Sequence, residues 1–213
     1  MSIQPVIDLS MQLGPARSQG TRSTCMAFAM SDLNRAVAGA PDALSAEFLY
    51  QVAGSLTPAW KPGMGLRSTE AIKATLSPGQ PLDVHFPYQT GDPVGVVMPT
   101  APAGEALYCS QISVHGNAMQ AVVDRLSQME FVGLVMRVTQ GLFTPKAGIV
   151  PYEMSVVPNA YHAVLAVGWG TDSSNQVRHL LIRNSWGTGW ALNGHAWLPE
   201  QFVNSHVIEV FGG

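Results

Sequence analysis

The spacing of apolar residues along the chain changes from a helical period to a strand-like pattern. Residues 24–38 contain no glycine or proline, and their apolar positions recur at helical spacing, which predicts a helix that ends at Gly39. Its predicted buried stripe consists of Met26, Met30, Leu33 and Val37. A second helix is predicted in "LSAEFLYQVAG", with Ser45 as the N-cap and Glu47 in the first turn. Two further helices are predicted over residues 68–76 and after a capping Asn117.

The second half of the chain reads as a series of strands. The segments "FVGLVMRV", "AVLAVGW", "HLLIR", "HAWL" and "VIEVF" are short, rich in β-forming residues and separated by turn residues. A proline-rich stretch, residues 77–104, is predicted to be a long surface connection. Helices followed by strands indicate an α+β fold. We expect one domain over residues 1–213, with a helical lobe at about 15–128 and a β lobe at about 129–213, to which residues 1–14 cross.

Composition excludes several classes of protein. The chain has 213 residues, 46% of them hydrophobic and 12% charged, enough for one domain folded as two lobes. A net charge of −3 excludes a basic nucleic-acid-binding surface, and no apolar run approaches the roughly 18 residues of a membrane span. The start, "MSIQPVIDLSMQLG", lacks the pattern of a signal peptide. We therefore expect no nucleic-acid or membrane partner, and a location in the cytoplasm or delivery by a signal-peptide-independent secretion system.

Cys25, one of only two cysteines, stands where the first predicted helix begins. The other is Cys109, so at most one disulfide is available, which fits a reducing compartment. A helix N-terminus favours an anion and lowers the pKa of a thiol placed there, and the thiolate is the nucleophilic form. The small and polar residues of "GTRST" before it would leave the sulfur accessible. A buried cysteine without chemistry fits this position equally well.

His162 and Asn184 are the candidate partners of this thiol. His162 opens the strand pattern "HAVLAVGWG", where an imidazole can be held rigidly as a base. Asn184 follows a strand in "LLIRNSWGTGW", and its amide oxygen can accept from an imidazole N–H beside Trp186 and Trp190. Taken alone, the histidine fits a structural role, and the asparagine fits a turn flanked by core tryptophans. Cys25 and His162 belong to no closely spaced pair of zinc ligands, so we expect no metal and no cofactor.

Three segments together resemble the signature blocks of papain-like cysteine peptidases: "QGTRSTCMAFA", "HAVLAVGWG" and "LLIRNSWGTGWALNGHAWL". The order Cys, His, Asn and the separation of Cys25 from His162 agree with that family. "LSAEFLYQVAG" and "GLRSTEAIKATLSPGQPLDVHFPY" resemble the segments that follow the nucleophile helix in bacterial members. The resemblance implies a papain-like two-lobe fold, with a helical N-terminal lobe, an antiparallel β C-terminal lobe and the active site in the cleft between them.

The resemblance also implies a role for each residue of the site. Cys25 would be the nucleophile, and His162 would form a thiolate–imidazolium pair with it and then protonate the leaving amine. Asn184 would orient His162, and Trp186 would shield their hydrogen bond. Gln19 would donate its side-chain N–H to the tetrahedral oxyanion, beside the backbone N–H of Cys25.

This chain departs from the family pattern near the nucleophile. Arg22 stands where the family often has a disulfide-bonded cysteine, and it adds a positive charge close to the thiolate. Met26 replaces the usual tryptophan, and the framework disulfides are missing. Cys25 lies too near Met1 for the family's inhibitory propeptide, so we expect either that a propeptide was removed or that control of activity lies elsewhere.

The substrate expected from the resemblance is an extended polypeptide. Ala163 would border the pocket for the residue two before the cut, and Trp186 would also line the substrate site. Gly63 and Gly65 in "PGMGLRS" are the candidates for pairing with substrate backbone, although plain loop glycines fit the pattern as well.

The function expected from these features is that of a cysteine endopeptidase acting through an acyl-enzyme on Cys25. The alternatives are another thiol acyl-transfer enzyme, such as an amidase, isopeptidase or transglutaminase-like enzyme, or a peptide-binding pseudopeptidase. A bacterial effector or toxin protease is one expected context, and there an inhibitor or immunity protein is a candidate partner.

Overall fold

The protein is described by a computed structural model of residues 3–213, which divide into two compact units. The first unit contains the chain up to Ser18 together with Val114–Gly212, and the second contains Gln19–Ser113 and Gly213. The second unit is mainly helical, whereas the first is built on a β-sheet. The expected α+β character is therefore confirmed.

Three helices form the second unit: α1 (Cys25–Ala38), α2 (Ala46–Leu56) and α3 (Ser68–Leu76). Ser45 caps α2 as predicted, because its hydroxyl accepts the Phe48 N–H at 2.9 Å. Gly39 ends α1 in the left-handed conformation, at φ 64°. Val37 is 44% exposed, whereas the other three residues of the predicted stripe are buried, so the buried face of α1 stops before its last turn.

Residues 77–112 form the predicted long connection. No helix or longer strand occurs in this part of the described chain, and Val94 at its middle is fully exposed. A single bridge between Leu82 and Leu44 attaches the connection to the loop between α1 and α2. This connection carries Tyr88 and Asp92, which contact the segment before α1.

Seven strands form the sheet of the first unit: β1 (Ile3–Asp8), β2 (Ser113–His115), β3 (Val132–Arg137), β4 (Tyr161–Asp172), β5 (Arg178–Arg183), β6 (His195–Pro199) and β7 (Val207–Gly212). Their order is β2-β7-β3-β4-β5-β6, and β1 pairs with β4. The pairs β1–β4, β3–β4, β3–β7, β4–β5 and β5–β6 are antiparallel. The five predicted strand segments correspond to β3–β7, and the N-terminal segment joins the same sheet.

The helices of the first unit are α4 (Met119–Ser127), α5 (Gln140–Phe143) and α6 (Glu200–His206). The sequence pattern placed α4 with the helical lobe, but α4 contacts β3 and β4, and the division between the units lies before Val114. The prediction that Asn117 caps α4 is wrong. Ala118 is the N-cap, and the Asn117 amide donates to the Val207 carbonyl oxygen at 3.1 Å.

The central strand β4 gives the candidate site a rigid base. Its residues from His162 to Gly168 are all buried, on both faces of the strand. A strand that is covered on both faces and paired along both edges leaves little freedom to a side chain at its start. Within residues 3–213, no helix is long and apolar enough to cross a membrane.

Candidate active site

His162 and Asn184 lie together at the ends of two neighbouring antiparallel strands. His162 is the second residue of β4, and Asn184 directly follows β5. In the register of this pair Leu165 faces Arg183, so residues before Leu165 lie beside residues after Arg183. His162 Nε2 is 2.7 Å from Asn184 Oδ1, and both side chains are buried. The sheet thus brings two of the predicted site residues into direct contact.

The orientation of the Asn184 amide fixes the tautomer of His162. The backbone N–H of Ser185 donates to Asn184 Oδ1 at 2.8 Å, which identifies this atom as the oxygen, since an amide nitrogen cannot accept. The hydrogen bond to His162 therefore requires that Nε2 carries the proton. In the neutral ring, Nδ1 is then the nitrogen with the lone pair, and it is the atom that can accept a proton.

Aromatic rings pack beside the His162 imidazole. The Trp186 ring centroid lies 4.7 Å from that of His162, with a tilt of 35° between the planes. Phe143 stacks on Trp186 with centroids 5.5 Å apart and an interplanar angle of 2°, and Trp190 meets Trp186 edge-on. An aromatic ring beside an imidazole excludes water from that side of it. That Trp186 shields the hydrogen bond between His162 and Asn184 stays a prediction.

Cys25 is the first residue of α1, as the sequence predicts. The preceding loop turns at Gly20, whose φ of +61° is one that residues with a side chain rarely adopt. Thr24 is the N-cap residue, but its side chain makes no capping hydrogen bond. The thiol is half-buried, and it lies at the positive end of a helix of 14 residues.

Gln19 is held in place by the backbone of the same loop. Its Nε2 donates to the Arg22 carbonyl oxygen at 2.6 Å, and the Thr24 N–H donates to the same oxygen at 2.9 Å. The Gln19 side chain is buried. An amide nitrogen carries two N–H groups, and the bond to Arg22 uses one of them. Gln19 therefore has a fixed amide with the donor chemistry expected of it.

Arg22 is the centre of a buried ion-pair cluster. Its Nη1 lies 2.5 Å from Glu47 Oε2, and its Nε donates to Asp92 Oδ1 at 2.9 Å. Nη1 also donates to the Gln89 carbonyl oxygen at 2.7 Å. Burial disfavours the charge, but the hydrogen bonds that Arg22 donates to Glu47 and Asp92 more than offset this and raise the pKa of Arg22. Two carboxylates therefore compensate the positive charge that the sequence places near the thiol.

Two tyrosines enclose the Arg22 guanidinium. Its central carbon lies 5.0 Å from the Tyr50 ring centroid and 4.8 Å from that of Tyr88. Burial raises the pKa of Tyr50 to about 12 and also raises that of Tyr88. Both phenols are therefore protonated at neutral pH and can donate hydrogen bonds. Tyr50 Oη donates to the Met64 carbonyl oxygen at 2.8 Å.

The predicted substrate-binding residues have different environments. Gly63 has φ +89°, and a Cβ added there would lie 3.1 Å from Asp92 Oδ2, so this position requires glycine. Gly65 is exposed and lies near the Ser23 carbonyl oxygen. Ala163 is 2% exposed and pairs with Val135, on the opposite face of β4 from His162. Their contact with substrate stays a prediction.

Cys109 is the second cysteine of the chain. It is exposed, and its thiol donates to the Pro78 carbonyl oxygen at 3.4 Å. Within residues 3–213, no cluster of three or more His, Cys, Asp or Glu side chains could hold a metal ion. A cavity of about 510 Å³ in the first unit is lined by Asp8, Leu181, His195 and Trp197 among others, and by none of the predicted site residues.

Sequence reasoning missed several residues that support the site. Phe143, which stacks on Trp186, lies in a helix of only four residues, too short to show any period. Glu47 was recognised only as a first-turn residue, and Tyr88 and Asp92 only as part of a connection. Their contacts with the segment 19–24 join parts of the chain far apart in sequence, which no local pattern reveals.

The chain matches the model of one protein family, described as papain family cysteine protease, over residues 67–209. Among curated proteins, it is 28% identical to mouse cathepsin K over 197 residues, which cover 90% of this chain and 57% of that protein. The chain thus spans little more than half the length of that relative.

Solved structures with the same fold include xylellain, a cysteine protease from Xylella fastidiosa, with a TM-score of 0.78 and 19% identity. That match covers 99% of this chain and 85% of the other. Another is the Carica candamarcensis cysteine protease CMS1MS2 in complex with E-64, with a TM-score of 0.73 and 22% identity, covering 97% and 96%. At these identities the likeness shows the fold, which is confirmed as papain-like.

Proposed function

The chain belongs to the papain family of cysteine proteases, and we propose that it is an endopeptidase that uses Cys25 as its nucleophile. One observation carries the proposal. Asn184 accepts a hydrogen bond from His162 Nε2 in a buried site, which leaves Nδ1 as the proton acceptor that a thiol requires. The position of Cys25 at the N-terminus of α1 supports the other half of this proton transfer, which is the formation of the thiolate.

Acylation begins with transfer of the Cys25 thiol proton to His162 Nδ1. The thiolate attacks the carbonyl carbon of the substrate peptide bond, and the carbonyl oxygen becomes an oxyanion. The side-chain N–H of Gln19 and the backbone N–H of Cys25 donate to this oxyanion. The imidazolium returns its proton to the leaving amine as the C–N bond breaks, and the acyl group remains on the sulfur as a thioester.

Deacylation uses the same groups in reverse. His162 Nδ1 takes a proton from water, and the resulting hydroxide attacks the thioester carbonyl carbon. The tetrahedral intermediate again places its oxyanion on the same two donors. The C–S bond then breaks, the acid product leaves, and the proton returns to the sulfur. Asn184 keeps the imidazole in one orientation through both stages, because its oxygen is itself fixed by the Ser185 N–H.

The substrate-side assignments follow the same proposal. Gly63 and Gly65 would pair with the substrate backbone, as the resemblance to the family implies. Ala163 would border the pocket for the residue two before the cut, and Trp186 would also line the substrate site. A role as a bacterial effector protease, with an inhibitor or immunity protein as partner, remains a hypothesis that rests on the resemblance to bacterial members.

The experiment that tests the function compares the protein with its Cys25→Ala variant. Both are incubated with a cell proteome, and new N-termini are identified by mass spectrometry. Internal cleavages that require Cys25 support an endopeptidase. Cleavages confined to chain ends would indicate an exopeptidase, and amide or ester transfer without new N-termini would favour another acyl-transfer enzyme. Identical profiles for the two proteins would overturn the proposal and leave a peptide-binding pseudopeptidase.

A further inference from the structure

The segment that leads from Gln19, one proposed oxyanion donor, to Cys25, the other, is tied to the rest of its unit by the phenol of Tyr88 and by the ion pairs of Arg22. This segment, Gln19–Thr24, is called the oxyanion loop here. Tyr88 Oη donates to the Gln19 carbonyl oxygen at 2.9 Å and lies 2.8 Å from Thr24 Oγ1. A carbonyl oxygen can only accept, so the phenol proton goes to Gln19 and the Thr24 hydroxyl donates to Oη. Tyr88 therefore joins the two ends of the loop.

The Thr24 hydroxyl serves this contact instead of capping α1. An N-cap threonine usually accepts a hydrogen bond from a backbone N–H of the first turn. Thr24 is completely buried and makes no such bond. Its hydroxyl lies 2.8 Å from Tyr88 Oη instead.

The Tyr88 ring is itself held on both sides. The Arg22 guanidinium lies against one face, and the Phe28 ring of α1 meets it edge-on with centroids 4.8 Å apart. Arg22 also binds two residues that follow Tyr88 in the long connection, through the Gln89 carbonyl oxygen and the Asp92 carboxylate. It binds α2 through Glu47. A buried ion pair with this many partners has one favourable geometry, so it fixes where the phenol lies.

We propose that Tyr88 is a positioning residue that holds the oxyanion loop in the conformation that stabilises the transition state. This inference rests on the proposed function. An oxyanion donor is effective only when it lies within a few tenths of an ångström of its working position. Tyr88 fixes the position of the Gln19 backbone and of Thr24, the residue directly before Cys25. It therefore controls the positions of both oxyanion donors without touching the substrate.

The test is Tyr88→Phe, which keeps the ring against Arg22 and Phe28 and removes only the hydroxyl. Peptide hydrolysis passes through an oxyanion, whereas alkylation of the thiolate by iodoacetamide does not. We expect kcat to fall roughly 10- to 100-fold with little change in KM. The rate of iodoacetamide alkylation at Cys25 should stay within about twofold of the wild type, because the thiolate is unaffected.

A double-mutant cycle with Gln19→Ala sharpens this test. If Tyr88 acts by placing the donors, Tyr88→Phe should cost much less kcat in the Gln19→Ala background than in the wild type. Thr24→Val and Thr24→Ser form a second, matched pair, in which only valine removes the hydrogen bond to Tyr88. Valine should reproduce the selective loss of hydrolysis, and serine should retain activity. This pair also serves if Tyr88→Phe does not fold.

The outcomes separate this inference from the proposed function. Wild-type hydrolysis that depends on Cys25, together with Tyr88→Phe activity within about twofold of wild type, would overturn the role of Tyr88 alone. Equal losses of hydrolysis and alkylation would also overturn it, since they indicate damage to the thiolate or the fold. A wild type without Cys25-dependent hydrolysis would overturn both.

Discussion

His162 Nε2 lies 2.7 Å from Asn184 Oδ1, and that oxygen also accepts the backbone N–H of Ser185 at 2.8 Å. The hydrogen bond from the Ser185 N–H fixes the orientation of the Asn184 amide. The amide therefore presents its oxygen, and not its nitrogen, to the imidazole. The imidazole is thereby limited to the tautomer whose Nδ1 can accept a proton. A backbone N–H one residue away thus determines the protonation chemistry of the proposed base.

Replacing Asn184 by alanine should reduce activity without abolishing the nucleophile. The Asn184→Ala variant loses the acceptor that fixes the ring, so we expect kcat/KM to fall roughly 10- to 100-fold. Steady-state hydrolysis of a peptide substrate measures this loss. Asn184→Asp is the matched control, since it keeps an acceptor at the same place and should retain more activity than alanine. Equal activity of the alanine variant and the wild type would show that the hydrogen bond does not orient the base.

Replacing Gln19 by alanine should affect catalysis more than stability. The expected loss of kcat is roughly 10- to 1000-fold, the range found when one oxyanion donor is removed. Alkylation of Cys25 by iodoacetamide should continue at nearly the wild-type rate, because it forms no oxyanion. Thermal unfolding provides the control. A large fall in Tm with unchanged kcat would show that Gln19 serves the fold through its bond to the Arg22 carbonyl oxygen.

Breaking the buried ion pair should destabilise the second unit strongly. Glu47 is completely buried, so Glu47→Gln leaves Arg22 without its most buried counter-charge, and we expect a loss of about 3 kcal/mol in the free energy of unfolding. Urea unfolding measures it. Glu200→Gln is the control, because its pair with Arg178 is partly exposed and should contribute less than about 1 kcal/mol. Equal effects of the two variants would argue against the importance of the buried pair.

Stability at high pH should depend on Tyr50. Folding raises its pKa to about 12, whereas the pKa of an unfolded tyrosine is about 10. A group whose pKa is raised on folding contributes stability that is complete below the unfolded pKa and is lost as pH rises toward the folded one.

The free energy of unfolding should therefore fall between about pH 10 and pH 12, and Tyr50→Phe should reduce the slope of that fall. The comparison uses the slope in each protein, because the variant also loses the hydrogen bond to Met64 at every pH. Parallel slopes in the two proteins would show that Tyr50 does not titrate differently in the folded state.

The sequence predicts most of the regular structure because that structure is encoded locally. Helical spacing and caps locate α1, α2 and α3, and short β-rich segments locate β3–β7. Asn117 shows the limit of this reasoning. Its residue type fits a cap, but its amide bonds to Val207, which is 90 residues away. The grouping of α4 with the sheet depends on the same kind of distant packing.

The candidate site, like the fold, contains some residues that local sequence patterns identify and others that they do not. Cys25, His162 and Asn184 are recognisable because each stands at a helix start or strand end within a motif. The residues that hold the oxyanion loop are not recognisable in the sequence, because they contact residues distant along the chain. Arg22 and Asp92 are 70 residues apart, and Arg22 and Glu47 are 25 apart. The sequence alone does not distinguish a buried arginine from one on the surface. The contacts of Arg22 with Glu47 and Asp92 show that it is part of the core.

The most direct measurement of the central claim is the pH dependence of Cys25 alkylation by iodoacetamide in a Cys109→Ser background. If Cys25 and His162 form a thiolate–imidazolium pair, the rate should remain high down to about pH 5 to 6. His162→Ala should then move the midpoint toward the free-thiol value of about 8.5. A wild-type rate that simply rises through about pH 8.5 and is unchanged by His162→Ala would show that no such pair exists and would contradict the peptidase function.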